Sequence, residues 1–212
     1  MQLNRYIKQL TACIFLAGLI LPGAYAQEQN NAQEQDGPDQ VVNYLHAKLL
    51  EVMKKADELD YAARYKILEP VISTNFDTPL IAKVILSRQW DELNEEKRRE
   101  FIELFNQLST ATYASRFDSY DGEEFNIITS EQLKKGRLLL KTELTRNSKK
   151  PVNLDYLMHK NNGHWMIISV IADGVNDLSL KRAEYAAVIR DKGYDGLLDD
   201  IRSKIRDMEN EV

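Results

Sequence analysis

The spacing of apolar residues along this chain changes at Gly122. Before that glycine, apolar side chains recur every three or four residues, which is typical of amphipathic helices. Asp39 is the predicted N-cap of the first helix, Pro70 the predicted end of the second, and Asp77 with Pro79 the predicted start of the third. The predicted helical segments cover residues 40–55, 60–71, 77–86 and 94–120.

After Gly122 the apolar residues alternate with polar ones, as in strands that bury one face. Short polar turns separate the runs and predict an antiparallel meander. The four predicted strands cover residues 123–130, 137–145, 152–159 and 164–172. One face is predicted to carry Leu138, Leu140, Leu144, Val152, Leu154, Tyr156, Met158, Trp165, Ile167 and Ile171. The opposite face is predicted to hold Leu139, Leu157, Met166, Ile168 and Val170, so both faces need cover.

Two helices, over residues 178–190 and 194–208, are predicted to supply that cover, with Gly193 as the C-cap between them. Helices first, a meander next and helices last predict an α+β domain rather than alternating βαβ units. The sequence therefore predicts one domain over residues 40–208, with a four-stranded antiparallel sheet covered by N- and C-terminal helices.

The N-terminal residues 1–26 have the pattern of a secretory signal peptide. Arg5 and Lys8 precede an apolar run over residues 10–21, and Ala24-Tyr25-Ala26 fits a cleavage site. The run is shorter than the roughly 20 residues that a membrane-spanning helix needs. We expect an exported protein that begins at Gln27 after cleavage.

Residues 27–39 contain no large apolar side chain and are rich in Gln, Asn and Glu, which predicts a flexible tail. Cys13 is the single cysteine and lies within the predicted signal, so we expect a mature protein without disulfides. The acidic excess, a formal net charge of −5, argues against nucleic acid or anionic lipid headgroups as electrostatic partners, but not against an apolar ligand.

No group of residues has the spacing of a catalytic or metal site. His46, His159 and His164 are the three histidines, and we expect them to be exposed or interfacial. No Gly-x-Ser-x-Gly element and no His-x-x-x-His spacing is present. Paired carboxylates such as Asp199-Asp200 are expected to be solvated. The sequence therefore predicts no enzyme, no metal and no cofactor.

Several segments resemble the MlaC family of periplasmic lipid carriers. One is the element Ser87-Arg88-Gln89-Trp90 followed by a helix with Phe101, Phe105 and Tyr113. The others are Val152-Asn153-Leu154-Asp155-Tyr156, Gly163-His164-Trp165 and the region 174–182. Their order and spacing extend the resemblance over residues 40–205.

The resemblance implies a periplasmic carrier with an apolar pocket between sheet and helices, and we expect it to be a monomer. Such a carrier holds the acyl tails of a phospholipid and passes it between an outer-membrane lipoprotein complex and an inner-membrane ABC transporter. A dry pocket makes energetic sense, because each CH₂ exposed to water costs about 0.8 kcal/mol. Ser169-Val170 and residues Gly174–Ser179 depart from the phospholipid-carrying members. The helix start at Leu180–Tyr185 is similar to a branch linked with hopanoid biosynthesis, so a hopanoid-type lipid is the second cargo.

The pattern and the resemblance together predict the residues of the site. The predicted sheet wall of the pocket is Leu140, Leu154, Tyr156, Trp165 and Ile167, and the predicted helical wall is Val84, Phe101, Phe105, Leu108 and Tyr113. Arg88 and Arg182 are predicted to meet the headgroup. Two alternatives stay open: a small α+β enzyme would need an acid–base pair in the pocket, and a structural envelope adaptor would have a filled core and no cavity.

Overall fold

The computed structural model describes residues 37–147 and 149–210. Within these ranges the chain forms six α-helices and a five-stranded antiparallel sheet, which is an α+β fold. The predicted signal peptide, Cys13 and the predicted tail up to residue 36 lie outside the described residues.

Five helices precede the sheet, and side-chain caps begin three of them. Asp60, Asp77 and Asn94 each accept a hydrogen bond from a backbone N–H three residues ahead, as N-cap residues do. The bounds are α1 Pro38–Lys54, α2 Tyr61–Asn75, α3 Thr78–Leu86, α4 Arg88–Glu92 and α5 Glu95–Arg116.

Three predicted helix ends were wrong. Helix α1 begins at Pro38, so Asp39 lies in the first turn and Gly37 holds the N-cap position. Proline is suited to the first turn because its missing N–H has no intrahelical partner there. Helix α2 continues through Pro70 because Val71 and Ile72 beyond it are buried, while Lys66, whose carbonyl loses its partner, is exposed to water.

Helix α5 ends at Arg116 rather than near residue 120. Residues 118–121 are all exposed, so continuing the helix would bury no apolar surface.

The strands follow one another in the sheet in chain order. They are β1 Glu124–Gln132, β2 Leu138–Arg146, β3 Lys149–Asn161, β4 His164–Ala172 and β5 Val175–Asn176. The prediction of four strands missed β5. That strand follows the two-residue turn Asp173–Gly174, whose φ angles of 48° and 81° are both positive, as in the type I′ turns of β-hairpins.

A β-bulge in β4 changes which side chains face the helices. Met158 pairs with Ile167 but Leu157 pairs with Ser169, so Ile168 is the extra residue. Because side chains alternate along a strand, the extra residue reverses the pattern beyond it. Val170 therefore shares the face of Tyr156, and Ile171 lies on the other face, contrary to the prediction.

Helix α6, Asp177–Asn210, is broken at Gly193, where φ is 75°, which confirms the predicted break.

The buried apolar residues form two clusters. The first joins α1, α2 and the C-terminal part of α5 to the sheet, and includes Val42, Leu45, Leu49, Leu68, Ile72, Leu138, Leu140, Tyr156, Met158 and Ile167. The second joins α3, α5 and α6, and includes Ile81, Ile85, Phe101, Phe105, Leu108, Tyr185, Leu197 and Ile201.

Candidate functional site

A cavity of about 440 Å³ lies between the sheet, the C-terminal end of α5 and the first turns of α6. We call it the large cavity. Its size falls within the range of about 300–1,000 Å³ that is usual for ligand pockets. The lining residues are Thr112, Tyr113, Arg116, Phe117, Leu154, Tyr156, Val170, Ala172, Val175, Asp177, Leu180, Lys181 and Glu184.

The sheet wall of the large cavity is a small apolar patch across three strands. Leu154 on β3 pairs with Ala172 on β4, and Ala172 pairs with Val175 on β5. Tyr156 pairs with Val170 in the next inward-facing row. The short strand β5 thus adds an apolar residue to the wall.

On each helical wall, the lining residues are spaced so that they lie on one face of the helix. Tyr113 on α5 and Phe117, the residue that follows the end of α5, are four positions apart, and their rings stack with centroids 5.6 Å apart. On α6, Asp177 and Lys181 are also four residues apart, and both line the cavity.

A second cavity of about 80 Å³ adjoins the first, and we call it the small cavity. Thr112, Tyr113, Asp177 and Lys181 line both cavities. The small cavity extends toward α3, and its apolar lining includes Phe76, Ile81, Ile85, Phe105, Leu108, Ile168 and Leu178. The large cavity is thus bordered by the sheet patch and the small one by side chains of the second core cluster.

The large cavity reaches the surface beside two exposed apolar side chains. Val175 is 52% exposed and Leu180 is 58% exposed, although both also line the cavity. We call this pair the apolar lip. Arg116 and Glu184 are exposed lining residues as well, so the mouth combines apolar and charged groups.

Asp177 fixes the start of α6 against β4. One carboxylate oxygen, Oδ1, accepts a hydrogen bond from the Ser169 hydroxyl at 2.9 Å and another from the Val170 N–H at 3.0 Å. The bulge at Ile168 comes just before these two donors in the chain. The bulge and this carboxylate therefore position α6 over the sheet patch.

The two tyrosine hydroxyls in the walls stay neutral. Burial raises the pKa of both Tyr113 and Tyr156. The Tyr156 hydroxyl is joined to His46 Nε2 at 2.9 Å, and burial lowers the pKa of His46 to about 4. His46 is buried and stacks on Phe125, so the prediction that it is exposed or interfacial was wrong. The reason is that Tyr156 supplies the polar partner that a buried imidazole needs.

The other two histidines agree with the prediction. His159 is partly buried between the sheet and the start of α3, where Nε2 lies 2.8 Å from Asp77 Oδ2. His164 is exposed at the β3–β4 turn.

The structure brings five of the predicted wall residues to the cavities. Tyr113, Leu154 and Tyr156 line the large cavity, while Phe105, Leu108 and again Tyr113 line the small one. The remaining wall residues line neither cavity. Leu140 and Ile167 are in the first core cluster, Phe101 is in the second, and Val84 and Trp165 are half-buried elsewhere.

The two arginines predicted to meet a headgroup also line neither cavity. Arg88 is exposed at the start of α4, and Arg182 donates a hydrogen bond from Nη2 to the Ser87 hydroxyl at 2.9 Å. The cations that do line the large cavity are Arg116 and Lys181.

Sequence reasoning missed two groups of lining residues for different reasons. Phe117 lies four residues after Tyr113, so the helical period could have found it. Val170 and Ala172 could not be found by alternation, because the bulge reverses the pattern between Ile167 and Val170.

No helix within residues 37–147 and 149–210 combines the length and apolarity needed to cross a bilayer. The same part of the chain contains no group of His, Cys, Asp and Glu side chains arranged to hold a metal ion.

Comparison with known proteins agrees with the fold. A solved structure of the phospholipid-binding protein from Ralstonia solanacearum, in complex with a phospholipid, superposes with a TM-score of 0.66 at 16% sequence identity. The match covers 87% of this chain and 99% of that one, and at this identity it shows that the fold is shared. The sequence also matches the family described as MlaC protein over residues 28–203. The chain therefore belongs to the MlaC family.

Proposed function

We propose that this protein is a lipid carrier that holds the acyl tails of a phospholipid in the large cavity. The observation that carries the proposal is the cavity itself, with an apolar sheet patch, an aromatic helix face and an apolar lip at the surface. Membership in the MlaC family and the phospholipid bound by the structural neighbour support the choice of cargo. Transfer of each CH₂ out of water supplies about 0.8 kcal/mol, so no covalent chemistry is needed to retain a tail.

Within this proposal, Leu154, Tyr156 and Tyr113 contact the tails in the large cavity. Phe105 and Leu108 contact a tail that reaches the small cavity, since Tyr113 borders both spaces. The acyl tails lie across the sheet patch, and the lipid headgroup stays at the mouth beside the apolar lip.

A binding protein fits the site better than an enzyme or an adaptor. An adaptor predicts a filled core, whereas the sheet patch faces an open cavity. An enzyme needs an acid–base pair among the lining groups. The two lining carboxylates already have partners in the described part of the chain, because Asp177 is bonded to β4 and Glu184 to Lys204.

The cellular setting of the proposal rests on the family. We place the carrier in the periplasm as a monomer, moving lipid between an outer-membrane lipoprotein complex and an inner-membrane ABC transporter. A hopanoid-type lipid is the alternative cargo, and the experiment below separates the two.

The test is lipid extraction and mass spectrometry on the protein purified without detergent from the envelope of its native host. We expect near-stoichiometric phospholipid. A near-stoichiometric polycyclic lipid would change the cargo, and a folded protein free of any lipid would overturn the carrier proposal.

A pair of variants on β3 tests the site. Leu154→Glu places a carboxylate on the sheet patch, and we expect it to abolish lipid loading because a buried charge in an apolar pocket is costly. Leu157→Glu is the matched control, since Leu157 is half-buried on the other face of the same strand. Circular dichroism checks that both variants fold. Equal lipid loading of the two variants would remove the sheet patch from the binding site.

A further inference from the structure

Four charged side chains line the mouth of the large cavity: Arg116 on α5, and Asp177, Lys181 and Glu184 on α6. Two of these side chains are positive and two are negative. If they paired with one another, the mouth would have no free charge to attract a ligand. The hydrogen bonds and ion pairs show that they do not pair.

Both carboxylates are already engaged elsewhere. Asp177 Oδ1 accepts from the Ser169 hydroxyl and the Val170 N–H on β4. Glu184 forms an ion pair with Lys204, which lies beyond the Gly193 break on the second half of α6.

The two cations lack such partners in the part of the chain that the structure describes. Across residues 37–147 and 149–210, the side chains of Arg116 and Lys181 form no hydrogen bond and no ion pair. Lys181 Nζ lies 5.8 Å from the centroid of the Tyr185 ring, a cation–π distance.

The environment of Lys181 also favours an anion beside its ammonium. Burial is the main cause that lowers the pKa of its ammonium; the charges of Lys204 and Arg116 act in the same direction, and those of Glu184 and Asp177 act against it. The ammonium is thus half-buried at the entrance to the cavity with a second cation, Arg116, lining the same mouth. A bound anion would relieve both effects.

We infer that Arg116 and Lys181 bind the phosphate of the cargo lipid at the mouth of the large cavity, an inference that rests on the proposed function. A guanidinium can meet two phosphate oxygens at once, and an ammonium adds a point charge. The arrangement favours a lipid that carries a phosphate over a neutral lipid with the same tails.

The experiment uses the full chain, expressed with its own N-terminal segment, purified from the envelope and stripped of lipid. The protein is incubated with phosphatidylcholine vesicles that contain equal small amounts of phosphatidylglycerol and diacylglycerol with identical acyl chains. Mass spectrometry of the bound lipid gives the ratio of the two. The test variant is Arg116→Gln with Lys181→Met.

The matched control is Arg99→Gln with Arg206→Met, which removes one exposed cation from each of the same two helices without touching a cavity. We expect wild type and control to favour phosphatidylglycerol by about tenfold, as one charge-assisted contact would give. The test variant should take up diacylglycerol as before and lose most of that preference. Arg116→Gln with Lys181→Arg should recover part of it.

An unchanged lipid ratio in the test variant would overturn the headgroup assignment and leave the carrier proposal intact. Wild-type protein that takes up none of the three lipids would overturn the carrier proposal itself. Saturable binding of inorganic phosphate that the test variant loses, without any preference between the lipids, would assign the cations to free phosphate and overturn the lipid assignment.

Discussion

The two ends of the helix-side face of the sheet are packed differently. At one end Leu138, Leu140, Met158 and Ile167 are buried beneath α1 and α2. At the other end Leu154, Val170 and Ala172 border an open cavity beneath α6. Both ends are built from the same strands, so strand pattern does not explain the difference.

The helices that cover each end explain the difference in packing. Helices α1 and α2 lay large side chains onto the sheet, among them Leu45, Leu49, Leu68 and Ile72, all fully buried. The first turns of α6 instead present Asp177, Leu180, Lys181 and Glu184, of which Lys181 is half-buried and the rest are exposed. Native interiors are normally close-packed, so an apolar space of this size is a specialised region. The filled end stabilises the sheet, and the open end is left available for a ligand.

The largest contrast is expected from removing the same side chain at each end. Leu140→Ala should lower the free energy of unfolding by about 3 kcal/mol, because Leu140 is fully buried and the lost side chain leaves a void. Leu154→Ala should cost under about 1 kcal/mol, since its side chain borders a space that is already empty. Urea denaturation of the lipid-free proteins measures both. Equal costs would mean that the two ends are packed alike in solution.

The second effect concerns His46, whose partner Tyr156 belongs to both the filled end and the cavity wall. Burial lowers the pKa of His46 from its ordinary value of 6.5 to about 4. Above pH 6.5 the imidazole is neutral in both states and contributes no pH dependence. As pH falls below 6.5 the unfolded chain binds a proton that the folded protein does not, so stability is lost until about pH 4, by roughly 3 kcal/mol in total.

Urea denaturation between about pH 4.5 and pH 7.5 measures this loss. His46→Gln should show a flatter profile than wild type, and His164→Gln, at an exposed turn, should keep the wild-type profile. If wild type and His46→Gln had parallel profiles, His46 would not be the buried neutral group that the structure shows.

The smallest effect is expected at the carboxylate that holds α6 over the open end. Asp177→Ala leaves the buried Ser169 hydroxyl and the Val170 N–H without this acceptor, at a cost of about 1–2 kcal/mol. Asp177→Asn keeps an oxygen at the same position and should cost less. Hydrogen exchange over residues 177–184 should accelerate in the alanine variant, and unchanged exchange there would show that other contacts fix α6.

Several local features could be predicted from the sequence because they depend on neighbours in the chain. The capping side chains Asp77 and Asn94 and the break at Gly193 are set by backbone geometry within a few residues. The Asp173–Gly174 turn belongs to the same class, and the hairpin it forms could have revealed β5. The end of α2 was misplaced because the buried residues beyond Pro70 outweigh the local cost of the proline.

The candidate site was only partly predictable. Tyr113, Leu154 and Tyr156 were found because each lies in a regular helical or strand pattern. Ile167 and Leu140 fit that pattern equally well, yet they are covered by other elements and belong to the core. Periodicity identifies an inward-facing side chain but not what lies above it.

By itself, the sequence determined the order of helices and strands, the antiparallel meander and the membership of the MlaC family, because these follow from periodicity, turn residues and family motifs. Only the tertiary structure decided which inward-facing residues border empty space and which cations stand at its mouth. A cavity exists where packed elements fail to meet, and that depends on the bulge at Ile168 and on the placement of α6 over β4. Neither can be read from the spacing of residues along the chain.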